Sequence, residues 1–173
     1  SRCSSGPFIR VNCALPPELL EAELFGKPGL IEAANSGTLL LDDVAEMPGY
    51  LQIKLFCVLR ERKLCGLDFR LVVTSNRNTK VLLQEGVLKK DFYFRISTIK
   101  IKVPALRDRL DDIPVLARYF LQRFNTQYAK KIRRISQEAL CRLLRYDWPG
   151  NVRELQSVIE RAVVFCAGNE LLP

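Results

Sequence analysis

Two adjacent carboxylates, Asp42 and Asp43, close a short apolar run, Leu39-Leu40-Leu41. In open α/β folds ligands collect at the carboxyl edge of the sheet, so a strand ending in paired acids is a place for phosphate chemistry. One carboxylate would orient a hydrated magnesium ion bridging nucleotide phosphates, and the next would align an attacking water. An acid pair opening a helix after a strand reads the same way, and the motif alone leaves both readings open. Thr74-Ser75-Asn76 ends a neighbouring apolar run with polar side chains, where Asn76 would hydrogen-bond a terminal phosphate or its attacking water; a turn-forming Asn is equally ordinary there. Arg95 follows the amphipathic stretch Asp91-Phe92-Tyr93-Phe94, with Lys89 and Lys90 just before it. A basic side chain reaching a phosphate in a neighbouring subunit speeds phosphoryl transfer by roughly 10³ to 10⁵; a solvated basic face is the plainer alternative. Arg153 stands in the first turn of a helix opening after Trp148-Pro149-Gly150, where the positive end of the dipole disfavours a cation unless an anion is its partner.

These groups need a scaffold, and the apolar pattern supplies one. Residues 8–12 alternate as a strand, a helix opens near Pro16 and Pro17 and ends at Gly26, and residues 38–41 form a second strand. A helix from about Pro48 carries Leu51, Leu55, Val58 and Leu59 on one stripe, and residues 69–74 read as another buried strand. Ile99, Ile101 and Val103 alternate and predict one more. Strands alternating with helices imply a parallel sheet covered on both faces. Past a boundary placed near Pro104 the pattern is helical alone. A first helix spans about residues 111–128, with Ile113, Leu116, Phe120, Phe124 and Tyr128 facing inward. A second runs from Ser136, an N-cap, to Tyr146, and a third is opened by Asn151 and Glu154 in an N-x-x-E capping pattern.

Composition narrows the chemistry further. The 173 residues hold 27 Lys and Arg against 19 Asp and Glu, with no His, which excludes His-dependent triads and His-containing zinc sites. The excess charge lies in the second half, since residues 1–86 carry 10 basic and 10 acidic side chains. Cys3, Cys13, Cys57, Cys65, Cys141 and Cys166 form no C-x-x-C pair and read as buried, reduced thiols, which implies a reducing compartment. No run is long enough to span a bilayer and no secretory leader is recognisable, so a cytoplasmic protein without membrane contact is expected.

Six segments carry a family resemblance: Pro7-Phe8-Ile9-Arg10-Val11-Asn12-Cys13-Ala14, Glu23-Leu24-Phe25-Gly26, Gly37-Thr38-Leu39-Leu40-Leu41-Asp42-Asp43, Thr74-Ser75-Asn76-Arg77, Pro104-Ala105-Leu106-Arg107-Asp108-Arg109 and residues 148–155. In this order they resemble the central AAA+ domain of sigma-54-dependent transcriptional activators. The resemblance implies an α/β, P-loop-type three-layer sandwich with a parallel sheet over residues 1–104, and a small all-α lid over residues 105–173. It implies an ATPase using ATP and Mg2+, assembled as a homo-oligomeric ring, hexamer or heptamer. Such a ring remodels sigma-54 RNA polymerase holoenzyme and meets promoter or enhancer DNA through a domain outside these residues. Position by position, Asp42 resembles the Walker B residue that orients the metal, and Asp43 occupies the place of the catalytic Glu. Asn12 resembles the Asn that restrains that carboxylate, Asn76 matches sensor I and Arg153 matches sensor II. Residues 89–95 match the segment supplying arginine fingers to the next subunit; Arg95 keeps its Arg, and Lys89 stands where the family usually has another.

The departures are as specific as the matches. No G-x-x-x-x-G-K-[ST] loop occurs in these residues, nor the strand before it. The sigma-contacting loop bearing G-A-F-T-G-A would fall between Gly26 and Lys27, and a hairpin-like insert between Gly66 and Leu67. Both jumps fall at glycines beside surface loops, which favours segments omitted over segments lost. ATP hydrolysis is therefore expected of a chain that carries the phosphate loop, not of these residues alone. Asp43 in place of Glu draws its carboxylate back by about 1.5 Å, which predicts slowed hydrolysis with metal binding retained. Two other readings stand beside this one, a degenerate, non-hydrolysing AAA+ scaffold or regulatory module, and a basic nucleic-acid-binding module suggested by the charge of the second half.

Overall fold

The computed structural model describes residues 6–61, 64 and 66–172. They fold as two compact units, Ser1–Lys100 and Ile101–Pro173.

The first unit is built on β1 (Phe8–Asn12), β2 (Thr38–Asp42) and β3 (Arg70–Val73), all parallel, in the order β1-β2-β3. The register pairs Asn12 with Asp42 and Leu41 with Val73, so the three strands end side by side. In β2 Leu39 and Leu41 are buried, while Thr38, Leu40 and Asp42 are half-buried, as expected of a central strand. Gly37 lets β1 and β2 start together, because a Cβ there would stand 2.1 Å from the Pro7 carbonyl oxygen.

Around the sheet run α1 (Pro17–Phe25), α2 (Leu30–Ala33), α3 (Gly49–Glu61), α4 (Thr79–Gln84) and α5 (Lys90–Ile96). Pro17 opens α1, where a missing N–H costs nothing, and the Asn78 side chain caps α4 by accepting from Lys80 N–H at 2.9 Å. Leu51, Leu55 and Leu59 of α3 are buried with Leu20, Leu24 and Phe92 in one apolar core; Val58 is only half-buried.

The strand expected at Ile99, Ile101 and Val103 does not form. These side chains are 82%, 85% and 74% exposed, and no described residue pairs with their backbone. An alternating segment becomes a strand only when a neighbour offers a ladder, and none is offered among the described residues.

The second unit contains α6 (Asp112–Gln127), α7 (Gln137–Arg145) and α8 (Asn151–Phe165). Trp148 lies at the centre of its core with Phe120, Phe124, Leu155, Ile159 and Val163, its indole N–H donating to the Leu143 carbonyl at 2.8 Å. Helices alone were expected, but β4 (Arg134–Ile135) and β5 (Glu170–Leu171) pair in parallel and tie the two loops together. Tyr128 does not face inward; it ends α6 exposed, its hydroxyl donating to Glu160 at 2.6 Å. Ser136 caps α7 as expected, accepting from Ala139 N–H at 3.1 Å.

Asn151 does not cap α8. It takes a positive φ of 52° and turns its Oδ1 to Leu106 N–H at 2.8 Å, and Gly150 is the cap. Glu154 does reach back, accepting from Gly150 N–H at 2.8 Å.

Of the cysteines, Cys13 is buried, Cys166 half-buried, and Cys57 and Cys141 are exposed, contrary to the expectation of burial; all four are free thiols. Cys3 and Cys65 lie outside the described residues. No helix among the described residues is long and apolar enough to cross a membrane.

Candidate phosphate-chemistry site at the carboxyl edge of the sheet

Because the strands share a register, Asn12, Asp42 and Thr74 arrive at one edge of the sheet. The Thr74 hydroxyl donates to Asp42 Oδ1 at 2.7 Å and accepts the N–H of Asp43 at 3.0 Å, so one side chain fixes both acids. On the other side of Asp42, Arg10 of β1 donates through Nε to Oδ2 at 3.1 Å, and its Nη2 meets the same oxygen. A hydroxyl proton and a guanidinium thus share the negative charge of Asp42.

Asp43 leaves the strand in a left-handed conformation, φ 59° and ψ 61°, which Asp tolerates better than most side chains. Asn76 Nδ2 donates to Asp43 Oδ2 at 2.7 Å. The other oxygen, Oδ1, is buried and has no hydrogen-bond partner. A buried carboxylate oxygen without a donor calls for a further proton or cation, such as a water or a hydrated metal ion.

Cys13 lies beneath these acids and donates its backbone N–H to the Asp42 carbonyl at 2.9 Å. Burial, with Asp42 and Asp43 adding their negative charge, pushes its thiol up to about 12. The thiol stays protonated and takes no part as a nucleophile at neutral pH.

The remaining predicted residues are distributed differently. Asn12 does not hold the Asp43 carboxylate; its Oδ1 accepts from Ala14 N–H at 3.0 Å, a local turn contact, and Asn76 makes the bond that Asn12 was expected to make. Arg95, exposed on α5, donates through Nη2 to the Leu59 carbonyl at the end of α3, 2.8 Å away. Lys89 is the N-cap of α5. Arg153 is exposed in the first turn of α8, in the second unit.

Three contributing residues escaped the sequence reading. Thr74 was visible only as part of a polar strand end, and Arg10 only as a member of the alternating strand 8–12. Gln52, buried among the leucines of α3, had a signal that went unused: a polar residue seven positions before Leu59, on the apolar stripe itself.

A parallel sheet with paired acids at its carboxyl edge, followed by a helical unit, defines an AAA+ α/β domain with its lid. The chain belongs to the Sigma-54 interaction domain family, whose model matches residues 1–102, and the AAA+ ATPase lid domain matches residues 107–173. It is 43% identical to the regulatory protein AtoC of Escherichia coli strain K12 over 189 residues, covering 97% of this chain and 41% of AtoC. It is 37% identical to the transcriptional regulatory protein XylR of Pseudomonas putida, over 95% of this chain and 33% of XylR. The crystal structure of NtrX from Brucella abortus in complex with ADP superposes with a TM-score of 0.90 at 35% identity, covering all of this chain and 43% of that one. NtrX in complex with ATP superposes at 0.87, over 95% of this chain and 41% of that one. The chain thus spans less than half the length of these relatives.

Proposed function

We propose that this domain works within a sigma-54-dependent transcriptional activator, coupling ATP binding and hydrolysis to remodelling of sigma-54 RNA polymerase holoenzyme. The observation that carries the reading is the carboxylate pair Asp42 and Asp43, fixed at the sheet edge by Thr74, Arg10 and Asn76. Kinship with AtoC, XylR and NtrX supports it, since AtoC and XylR are regulatory proteins and NtrX is seen in complex with ADP and with ATP. These 173 residues contain neither the G-x-x-x-x-G-K-[ST] loop that nucleotide affinity requires nor a G-A-F-T-G-A loop to touch sigma-54.

In this reading Asp42 would hold Mg2+, which suits an ion that needs only one or two protein carboxylates. When bound, the ion neutralises charge on the phosphates. Asp43 aligns the attacking water and accepts its proton, with Asn76 fixing the other carboxylate oxygen. Arg95 and Lys89 face the site of a neighbouring subunit in a homo-oligomeric ring, and Arg153 senses the nucleotide from the lid. The cytoplasm is the compartment where such a partner is met.

The test is Mg2+-dependent ATP turnover by the full chain. Asp42→Asn is expected to lower turnover by about 100-fold or more while the fold persists, because a metal-holding charge is lost and the shape is kept. Wild-type protein that binds ATP without turning it over would favour instead a non-hydrolysing scaffold, the reading to which the shortened Asp43 lends weight.

A further inference from the structure

Gln52 is the one polar side chain fully enclosed in the core of the described residues, 0% exposed. An amide is costly to bury unless its hydrogen bonds are made, so its partners matter. Nε2 donates to the Met47 carbonyl and to the Val87 carbonyl, both at 2.9 Å, and Oε1 accepts the N–H of Lys89 at 2.9 Å. Both amide protons and one oxygen lone pair are thus used, and all three partners are backbone groups.

The partners lie in two segments that the site needs. Met47 closes the tight turn Val44–Glu46 that begins at Asp43, a turn held to β3 by Val44 N–H donating to the Thr74 carbonyl at 2.9 Å. Val87 and Lys89 lead directly into α5, which carries Arg95. Arg95 in turn rests on the Leu59 carbonyl, also on α3. Gln52 and Leu59 are seven residues apart, two turns along one face of α3, a span of about 10 Å. The short helix α5 is therefore held at its start and near its end by the same helix, and its start is bonded to the side chain that also holds the Asp43 turn.

We infer that Gln52 is a positioning residue that ties the turn carrying Asp43 to the helix carrying Arg95, so that a subunit's own carboxylate edge sets where it presents its guanidinium to the next subunit. The inference rests on the reading of Arg95 as acting in trans. Gln52 bonds backbone groups alone, at Met47, Val87 and Lys89, and neither carboxylate of the pair. An apolar side chain of similar size would fill its space but leave the Met47 and Val87 carbonyls and the Lys89 N–H without these partners.

The experiment is subunit mixing with the full chain, reading ATP turnover. Gln52→Leu is expected to lower kcat at least about tenfold with KM for ATP within about twofold, because Asp42 and Asp43 keep their bonds to Thr74, Arg10 and Asn76. Asp42→Asn subunits cannot hydrolyse but keep α5 in place. In an equal mixture, half of the Gln52→Leu sites gain an Asp42→Asn neighbour, and turnover per Gln52→Leu subunit should rise to about half the wild-type rate. Arg95→Ala, mixed in the same way, calibrates the rescue. If Arg95→Ala is rescued and Gln52→Leu is not, the defect lies inside the variant's own site and the inference is overturned while the reading of Arg95 stands. If Arg95→Ala alone keeps wild-type turnover, both fall. Should Gln52→Leu not fold, the unbranched Gln52→Met takes its place. Amide exchange in the unaltered protein adds a reading without any variant: Lys89 N–H should be protected like the α3 core, and exchange at the rate of a solvated loop would overturn the tether.

Discussion

The two units spend their polar side chains differently. In the first, many hydrogen bonds join segments far apart in sequence: Thr74 to Asp42 and Asn76 to Asp43 meet where the strands end, and Gln52 reaches Val87 from α3. In the second, most of them finish local structure. Ser136 caps α7, Glu154 closes the start of α8, and Trp148 bonds the Leu143 carbonyl five residues back. Long-range polar contacts at one sheet edge make a site, whereas local ones make stiff helices. Among the described residues of the second unit, Arg153 is the candidate for phosphate chemistry that the sequence proposed.

The strongest way to break this contrast is Trp148→Ala. Removing the side chain at the centre of the second core should cost about 3–5 kcal/mol, read by chemical denaturation with circular dichroism. Amide exchange in β2 should change little; an equal loss of protection there would mean that the units are not independent in stability. Cys13 sharpens the contrast from the other side. Its folded pKa is raised above the unfolded one, so its contribution is complete below about pH 9 and is lost as pH rises toward about 12. Unfolding followed across that window should show the first unit weakening, with Cys13→Ala flattening the dependence; an unchanged slope would show that the thiol is not the group responsible. The smallest effect is expected at Ser136→Ala, about 1 kcal/mol from a lost cap, with Ser136→Asp close to wild type. A loss well beyond that would mean that this hydroxyl does more than finish a helix.

How much of this was legible in the sequence depended on the range of the interaction. Ser136, Pro17 and the Leu51, Leu55, Leu59 stripe announce themselves within one or two turns, and the structure realises them. The paired acids were legible because their strand is short, apolar and abruptly ended. What misled was local pattern without its distant partner. Ile99, Ile101 and Val103 alternate like a strand, yet no ladder reaches them among the described residues. Asn151 fits a capping pattern, yet Leu106 N–H, 45 positions away, takes its oxygen. Asn12 and Asn76 are both Asn at strand ends, and only the folded register decides that Asn76 meets Asp43. Arg10 and Thr74 joined the site by the same three-dimensional route.

The register of β1, β2 and β3 has one more consequence. A parallel strand that slipped by one residue would turn its core side chains outward, so the smallest slip that keeps Leu39 and Leu41 buried is two residues, about 7 Å along the strand. The contacts that hold Asp42 and Asp43 through Thr74 span 2.7 and 3.0 Å, and none survives such a step. The carboxylate edge is thereby proofread by the hydrophobic core: a mispaired chain does not produce a weakened site but no site at all.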